Sequence, residues 1–325
     1  MLSSANNRLK RLAARLNPIS RKTINAALAH ENLTDGDDLF TERCATIKEY
    51  GAYIAANAAK LSARARFERQ LVTQADYFSI AGYCAVCHKP GAFAVDFLYT
   101  TRADTDVRLP NWRERLVCHK CRLPSRQRAM IDCLSTVIGL RENATIYVTE
   151  QMTPFFRELK RLHPRALGSE MLRDGTPRGM VNRRGTRNEN LTRLSFADAS
   201  FDIICTADVL EHVPAFHDAI SECYRCLKDG GLILISVPFL LDSAETLVRA
   251  RVATDGAVEH LLPPEYHGDP LDRCGVLCYY HFGWDLLAVL KDAGFADAGL
   301  HFYWSANRAY LGGTQFLILA FKGKT

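Results

Sequence analysis

The sequence predicts an α/β fold in which a mainly parallel sheet carries helices on both faces. Three observations support this fold class: short apolar runs recur from about residue 145 onward, amphipathic stretches separate them, and Gly230-Gly231 ends one such stretch directly before a fully apolar run. Apolar runs of strand length are typical of strands buried on both faces, and their alternation with helices is typical of parallel sheets.

We predict seven strands in this part of the chain, with helices between them. The strands cover residues 145–149, 166–170, 179–182, 201–207, 231–237, 297–304 and 315–321. The helices include residues 154–162, 215–227 and 283–293. Gly312 and Gly313 predict a tight connection between the last two strands, so these two should pair antiparallel.

The chain is predicted to have three consecutive parts. The first looks helical, because Leu9, Leu12 and Leu16 fall at helix spacing among basic residues and an alanine-rich stretch follows them. The second contains aromatic residues, prolines and two cysteine pairs, and the third holds the alternating pattern. The predicted parts are a helical region at 1–75, a four-cysteine module at 76–130 and the α/β domain at 131–325.

Composition and charge restrict the class of protein. Hydrophobic residues make up 48% of the chain and charged residues 24%, as is typical of a folded globular protein. No apolar run reaches the roughly 18 residues that cross a bilayer, and the N-terminus lacks the apolar block of a signal peptide. We therefore expect a cytoplasmic protein. The net charge is +5, and the excess of basic residues lies in the first 130 residues. This excess predicts either an anionic partner or a solvated basic face. The oligomeric state is left open.

Four of the 11 cysteines form two close pairs, Cys84 with Cys87 and Cys118 with Cys121. An odd number of cysteines in a chain without an export signal argues against a disulfide framework. Two residues between cysteines let both thiolates face one ion, and four thiolates complete a tetrahedral shell, so we predict a structural Zn²⁺ site. The alternatives for these four cysteines are unliganded core residues or an iron centre. We interpret the other seven cysteines as core residues.

Acidic side chains recur at the predicted strand ends. Glu150 ends the first strand, and Glu170 ends the second strand twenty residues later, where a carboxylate can accept hydrogen bonds from a ribose diol. Asp208, Glu211 and His212 follow the strand at 201–207. Open α/β sheets bind ligands at this edge, so we predict the functional site there.

The stretches "FDIICTADVLEHV" at 201–213 and "LKDGGLILISVP" at 227–238 carry a resemblance to class I S-adenosylmethionine-dependent methyltransferases. It covers about 145–325. A subgroup found beside glycosyltransferases in bacterial surface-polysaccharide clusters is more similar, because it shares the "YVTEQ-TP" turn, an upstream pair of cysteine knuckles and "PPEYHGDP" at 263–270. The resemblance implies a Rossmann-like seven-stranded sheet whose last strand is antiparallel.

Carried over by position, the resemblance implies roles for six residues in binding S-adenosylmethionine, and the chemistry of the cofactor suggests two more. Thr149 and Glu150 would lie near its methionine part, Glu170 would hold the ribose, and Asp208 would flank the sulfonium. Asn190 would accept a hydrogen bond from the adenine amino group, and Leu191 would pack on the adenine ring. Gln151 could meet the carboxylate of the cofactor, as could Thr153 or the N–H groups of the following helix.

The first turn, "TEQMTP" at 149–154, contains no glycine, although the family usually has glycine there. Glycine lets the backbone approach a ligand closely, but S-adenosylmethionine has no phosphates to cradle. We therefore expect a site rebuilt from other residues. The alternative is a degenerate domain kept for its structure, and acidic or amide groups at three successive strand ends argue against it.

The resemblance predicts methyl transfer to a hydroxyl of a sugar, a glycan or another small acceptor, in polysaccharide biosynthesis. Such a reaction needs a base, and histidine is the usual one near neutral pH. His267 is the first candidate, with His212 and His281 as the others. Asp208, Glu211, His212 and His267 together are also a set that could hold a second metal ion.

The alternative function is an RNA methyltransferase or RNA-binding module. In this hypothesis the four-cysteine module and the basic N-terminal half hold RNA, and basic residues around the knuckles grip phosphate. Those residues are Lys89, Lys120, Arg122, Arg126 and Arg128.

Overall fold

The computed structural model describes residues 17–34, 38–100, 108–141, 143–269 and 271–324. The predicted basic helix with Leu9, Leu12 and Leu16 lies outside them. By packing, the chain divides into two compact units: Met1–Arg43 with Gly51–Gly139 and His301–Phe316, and Cys44–Tyr50 with Leu140–Leu300 and Leu317–Thr325. The division into parts at residues 75 and 130 stays a prediction.

The part of the chain up to residue 136 contains four described helices and four strands. The helices are α1 (Arg21–His30), α2 (Ile47–Ala56), α3 (Ala58–Gln70) and α4 (Ser125–Thr136). The strands are β1 (Asp38–Cys44), β2 (Tyr77–Cys84), β3 (Lys89–Asp96) and β4 (Leu116–Cys118). Strands β2, β3 and β4 form a three-stranded antiparallel sheet.

The prediction that residues 1–75 are helical was wrong at β1, which is a strand. Its sequence, DLFTERC, is too short to show a helical or a strand period by itself. Tertiary pairing decides its conformation, because β1 joins the edge of the seven-stranded sheet. Phe40 is buried there and its ring lies 5.4 Å from that of Tyr303.

The second half of the chain alternates strands and helices as predicted. Its main strands are β5 (Ile146–Val148), β6 (Leu167–Gly168), β7 (Phe201–Ala207), β8 (Leu227–Ser236), β15 (Asp297–Ser305) and β16 (Tyr310–Phe321). The helices are α5 (Pro154–Leu162), α6 (Phe216–Cys226) and α7 (Asp285–Asp292). Between β8 and α7, the described residues form six short strands: β9 (Leu247–Val248), β10 (Ala250–Val252), β11 (Val258–His260), β12 (Tyr266–His267), β13 (Val276–Leu277) and β14 (Tyr280–His281).

The large sheet has the order β1-β15-β16-β8-β7-β5-β6. Strand β5 is parallel to β6 and β7, and β7 is parallel to β8, whereas β16 is antiparallel to β8. The predicted α/β, Rossmann-like sheet of seven strands with a reversed last strand is therefore confirmed. The carboxyl ends of β5, β6 and β7 meet at one edge, which is the edge that positions the site.

Two details of the predicted sheet were wrong. Residues 179–182 do not form a strand, since only Val181 makes an isolated bridge to Arg187, and β1 supplies the seventh strand instead. Gly312 and Gly313 lie inside β16, and the connection from β15 is formed by residues 306–309. Ala309 takes the positive φ of that turn, at 51°, a conformation that alanine rarely adopts.

The core around β5 and β7 is aromatic. Tyr147 is fully buried, and its ring lies 5.0 Å from Phe196 and 5.3 Å from Phe201.

Helix α5 begins where predicted, because the Thr153 hydroxyl accepts a hydrogen bond from the Phe156 N–H and Pro154 fits the first turn. In the described ranges, we find no helix with the length and apolarity that crossing a membrane requires.

Candidate functional site

Three acidic side chains lie at the ends of three neighbouring parallel strands. Glu150 follows β5 after one residue, Glu170 follows β6 after one residue, and Asp208 follows β7 directly. Glu150 is buried, and Glu170 and Asp208 are half-buried. The carboxyl edge of the sheet is thus lined with acidic side chains, at the strand ends where the sequence predicted them.

Glu170 organises the glycine-free first turn. Its Oε1 atom accepts hydrogen bonds from the backbone N–H groups of Gln151 (2.8 Å) and Met152 (2.6 Å). Burial raises the pKa of Glu170, while these two N–H groups oppose the increase. The carboxylate therefore faces the turn after β5, and only one of its two oxygens is used in holding that turn.

Other side chains of the first turn already have partners within the protein. The Gln151 side chain donates to the Gly185 carbonyl (2.8 Å) and accepts from the Arg187 N–H (2.9 Å), so it ties the turn to a neighbouring loop. Thr153 is occupied as the cap of α5. The Gln151 amide is thus engaged at both ends, whereas the Thr153 hydroxyl, which accepts in the cap, keeps its own proton to donate.

Asn190 and Leu191 lie in the loop before β7. The Asn190 Oδ1 atom accepts from the Thr192 N–H (3.0 Å) and hydroxyl (2.9 Å), which uses both acceptor positions of that oxygen. The amide NH₂ of Asn190, rather than its oxygen, is then the group that could meet an adenine ring. Leu191 is buried, with 9% of its surface exposed.

Thr149 provides a test of whether a ligand fits this edge. Its hydroxyl is buried and has no hydrogen-bond partner among the described residues, although its N–H donates to the Cys205 carbonyl. A buried hydroxyl without a partner costs free energy, so a ligand group that bonds to it would be stabilising. Together with three carboxylates, this hydroxyl fits a ligand that carries hydroxyls and a positive charge.

Asp208 has an unusual backbone conformation, with φ at 54°. Its N–H donates to the Ser236 carbonyl, and its Oδ1 atom accepts from the Ser236 hydroxyl at 2.8 Å. These bonds hold the start of the turn after β7 in the left-handed region, which aspartate tolerates better than most residues. The turn then continues into a short 3₁₀ helix, Leu210–His212.

The three predicted histidines converge in one cluster with two glutamates. The His267 Nδ1 atom lies 3.2 Å from His212 Nε2 and 3.6 Å from Glu211 Oε1. The other nitrogen of His267, Nε2, lies 3.0 Å from Glu265 Oε1, and His281 Nε2 lies 3.1 Å from the same oxygen. Strands β12 and β14 bring His267 and His281 to the 3₁₀ helix that carries Glu211 and His212.

Burial has the largest effect on the pKa values of Glu211 and His212, whereas hydrogen bonds have the largest effect on that of His267. Burial raises the pKa of Glu211, which is completely buried, to about 7, and it lowers the pKa of His212. The Cys278 thiol and the Glu211 carboxylate raise the pKa of His267 to about 11. Both ring nitrogens of His267 have partners inside the cluster, so it does not resemble a single base directed at a substrate.

Two members of the cluster were missed at the sequence level. Glu265 links His267 to His281 and also pairs with Arg249 at 3.2 Å, and Cys278, placed in our prediction among the core cysteines, lies within 4.8 Å of Glu265 and His281. The signal was present, because Glu265 and His267 are two residues apart and side chains at that spacing share one face of a strand.

The four paired cysteines also converge. The Sγ atoms of Cys84 and Cys121 are 3.9 Å apart, and those of Cys87 and Cys118 are 4.0 Å apart. A tetrahedral shell with zinc–sulfur bonds of about 2.3 Å places the sulfurs about 3.8 Å apart, whereas a disulfide requires about 2.05 Å. Each pair is followed by a residue with positive φ, His88 (52°) and Arg122 (68°), so the two knuckles have matching turns.

Part of the chain, across the central strands, matches a known protein family. Residues 167–235 match a family model described as a methyltransferase domain. A protein from Mycolicibacterium smegmatis, named "Probable S-adenosylmethionine-dependent methyltransferase", is 40% identical over 52 residues, which are 16% of this chain and 20% of that protein. The chain thus spans about a fifth of the length of the curated relative it matches.

Two solved methyltransferases are similar in structure at low identity. An S-adenosylmethionine-dependent methyltransferase from Mesorhizobium loti is 15% identical, with a TM-score of 0.35, over 57% of this chain and 95% of that chain. The Burkholderia thailandensis 1,6-didemethyltoxoflavin-N1-methyltransferase, with bound S-adenosylhomocysteine, is 16% identical, with a TM-score of 0.35, over 61% and 78%. Residues 167–235, the segment that matches the methyltransferase-domain model, run from β6 through β7 into β8 of the α/β, Rossmann-like sheet.

Proposed function

We propose that this protein is an S-adenosylmethionine-dependent methyltransferase that acts on a hydroxyl of a sugar, a glycan or another small acceptor. The observation that carries the proposal is the row of three carboxylates at the ends of β5, β6 and β7, within and beside the segment that matches a methyltransferase domain. A sulfonium nucleoside is a cation with a ribose diol, and both features suit carboxylate partners.

The chain's own residues bind and orient the cofactor in this proposal. The second oxygen of Glu170 accepts from the ribose hydroxyls, while the first continues to hold the turn. Glu150 and the Thr149 hydroxyl face the amino-acid part, and Asp208 flanks the sulfonium. The NH₂ group of Asn190 and the side chain of Leu191 meet the adenine. For the cofactor's carboxylate to bind at the first turn, Gln151 would release Gly185 and Arg187.

The cofactor supplies an electrophilic methyl group on sulfur. A bond forms between the acceptor oxygen and the methyl carbon as the carbon–sulfur bond breaks, and that electron pair stays on sulfur as a thioether. The hydroxyl proton must leave, and the His212, His267 and His281 cluster beside Asp208 is the proposed place for it. The glycan acceptor and a role in polysaccharide biosynthesis rest on the resemblance of the "YVTEQ-TP" and "PPEYHGDP" segments alone.

We also propose that the four cysteines bind one structural Zn²⁺. The sulfur–sulfur distances of 3.9 and 4.0 Å and the two matching knuckles support a closed tetrahedral shell. In the knuckle of Cys118, the N–H of Lys120 points at the sulfur at 3.4 Å, a bond that favours a thiolate. A closed shell leaves no open position, so this ion would stabilise the β2-β3-β4 sheet and take no part in catalysis.

Glu170→Gln separates cofactor binding from folding. The Gln side chain keeps an oxygen for the two N–H groups of the first turn but replaces the second carboxylate oxygen with an NH₂ group, which cannot accept from ribose. We expect a normal unfolding transition and an affinity for S-adenosylhomocysteine that falls about tenfold or more, measured by isothermal titration calorimetry.

Glu158→Gln is the matched control, because Glu158 lies on α5 and pairs with Arg161, whose side chain is exposed. Its affinity should equal that of the unchanged protein. If the unchanged protein takes up no S-adenosylhomocysteine, the proposed function is wrong; if Glu170→Gln binds as tightly as the control, only the assignment of Glu170 is wrong.

The RNA alternative loses part of its basic surface in the structure. Arg128 is completely buried and donates to the carbonyls of Ala309 and Leu116, and Arg126 pairs with Glu114 at 2.9 Å. Lys89, Lys120 and Arg122 remain near the knuckles as groups that could contact phosphate. Binding to RNA whose log affinity falls linearly with log salt would favour this alternative.

A further inference from the structure

Glu211 is a buried acid that faces two histidine rings at ion-pair distance but makes no close hydrogen bond to either of them. Its side chain has no exposed surface, and neither of its carboxylate oxygens has a hydrogen-bond partner among the described residues. Its nearest polar neighbours are His267 Nδ1 at 3.6 Å and His212 Nε2 at 3.8 Å, both beyond hydrogen-bond length. A buried carboxylate is normally paired, hydrogen-bonded or bound to a metal.

The two histidines present their nitrogens to the same point. His212 uses Nδ1 to donate to the Leu277 carbonyl at 2.8 Å, which fixes the neutral ring with its Nε2 lone pair toward Glu211. His267 donates from Nε2 to Glu265 at 3.0 Å, which leaves Nδ1 as the ring atom that faces the same place. The proton that Nδ1 carries without a metal would be released when an ion binds. Histidine ligands of metals are held in this way, with a carbonyl or carboxylate on the far nitrogen.

We infer that Glu211, His212 and His267 form a binding site for a divalent transition metal ion, separate from the four cysteines. One carboxylate oxygen and the two ring nitrogens all lie within 4.8 Å of one another, and the two nitrogens are 3.2 Å apart. Bonds of about 2.0–2.1 Å to one ion place ligand nitrogens about 3.0–3.4 Å apart, so the nitrogens need little movement. Two imidazoles favour zinc, iron or a similar ion over Mg²⁺ or Ca²⁺.

The neighbouring group of Glu265, Cys278 and His281 is a weaker candidate for the same role. Glu265 already receives His267, His281 and Arg249, and the Cys278 thiol donates to the Tyr280 carbonyl at 3.3 Å. These residues have partners that a metal would have to displace. We therefore assign Glu265 to the outer layer of the site, where it orients His267.

Three protein ligands leave coordination positions open, as in catalytic rather than structural metal sites. An acceptor hydroxyl beside a divalent ion becomes more acidic, so methyl transfer to it would no longer need a strong base. This role rests on the proposed function, whereas the metal site itself rests only on the geometry of the three ligands. His212 and His267 would then be ligands, and His281, the third histidine of the proposed cluster, would remain to take the hydroxyl proton.

The test is the metal content of the full-length chain. Dipicolinate first removes bound metal, and the chain is then loaded with Zn²⁺. A mercurial releases the ion held by thiolates. Elemental mass spectrometry measures the bound Zn²⁺ before and after this release. We expect the unchanged chain to hold one Zn²⁺ that the mercurial does not release. His267→Ala should bind this ion about 100-fold or more weakly, and the exposed His217→Ala on α6 serves as the matched control with full loading.

Glu211→Gln keeps the shape of the side chain and tests the site if His267→Ala does not fold. A folded Glu211→Gln chain that retains the mercurial-resistant ion at unchanged affinity would overturn the inference. So would an unchanged chain that takes up no such ion. S-adenosylhomocysteine binding is measured on the same samples, so a chain that holds the metal but binds no cofactor counts against the proposed function alone.

Discussion

Glu170 and Glu68 each accept two hydrogen bonds on one carboxylate oxygen, yet they differ in surroundings. Glu170 holds two backbone N–H groups at the edge of the sheet, where its second oxygen can serve a ligand. Glu68 lies on α3 and accepts from the Trp304 indole N–H at 2.9 Å and from the Gly312 N–H at 2.7 Å. Only 5% of Glu68 is exposed, and burial raises its pKa. Its role is structural.

Replacing Glu68 with Gln should make stability less dependent on pH. The pKa of Glu68 in the folded protein lies above the ordinary 4.5, so its ionised form is disfavoured by folding and its favourable contribution is lost as pH rises through the folded pKa. Gln keeps an oxygen for both N–H groups and carries no charge. We expect Glu68→Gln to gain stability relative to the unchanged protein at pH 7, by about 1 kcal/mol.

Guanidinium unfolding at two pH values measures this difference. The advantage of Glu68→Gln should shrink as the pH is lowered toward 4.5, because the unchanged side chain then becomes neutral as well. The exposed Glu42→Gln is the control in the same unit. An advantage that grows on acidification would contradict the raised pKa.

At the scale of elements, the hairpin of β12 and β13 places His267 in the cluster. His267 pairs with Val276 and Tyr266 pairs with Leu277, and Leu277 also supplies the carbonyl that fixes His212. Gly275 lies in the turn before β13 with φ at 81°, and a Cβ atom there would lie 2.3 Å from the His267 carbonyl oxygen. This glycine is therefore required both by its backbone conformation and by the close approach of His267.

Gly275→Ala should displace His267 and weaken the cluster. The contact is with backbone and cannot be relieved by a side-chain rotation, so we expect a loss of stability of about 1–3 kcal/mol and weaker binding of the mercurial-resistant Zn²⁺. The control is Gly256→Ala, which has nearly the same φ (84°) but nothing within 4 Å of the added Cβ. Both variants carry the backbone strain, so equal effects from the two would show that the contact with His267 is unimportant.

At the scale of the whole molecule, packing does not follow the order of the sequence. One unit combines Gly51–Gly139 with His301–Phe316, so the ends of the last two long strands pack with the four-cysteine region. Within this unit, Arg128 donates to the carbonyls of Arg308 and Ala309, and Asp132 accepts from Arg308 at 2.6 Å. Helix α4 therefore anchors the turn between β15 and β16.

Loss of the cysteine-bound metal should destabilise the whole unit rather than one loop. We expect Cys87→Ser to lose one Zn²⁺ and at least about 3 kcal/mol of unfolding free energy, because a structural zinc site contributes directly to folding. Hydrogen exchange should quicken across β2, β3 and β4. Cys274→Ser changes an exposed cysteine and is the control. If hydrogen exchange in β2, β3 and β4 is unchanged in a zinc-free Cys87→Ser chain, the proposed ion has no structural role.

The sequence by itself determined the α/β class, the strand ends that carry Glu150, Glu170 and Asp208, and the two cysteine pairs. These features depend on local periodicity and on spacings of a few residues, which survive in the linear order of the chain. The structure alone decided that Asp38–Cys44 is a strand of the large sheet and that residues 179–182 are not. It also decided that Glu211 meets the pair of Glu265 and His267, because Glu211 lies more than fifty positions before them and the contact depends on the packing of short strands whose pairing no local pattern specifies.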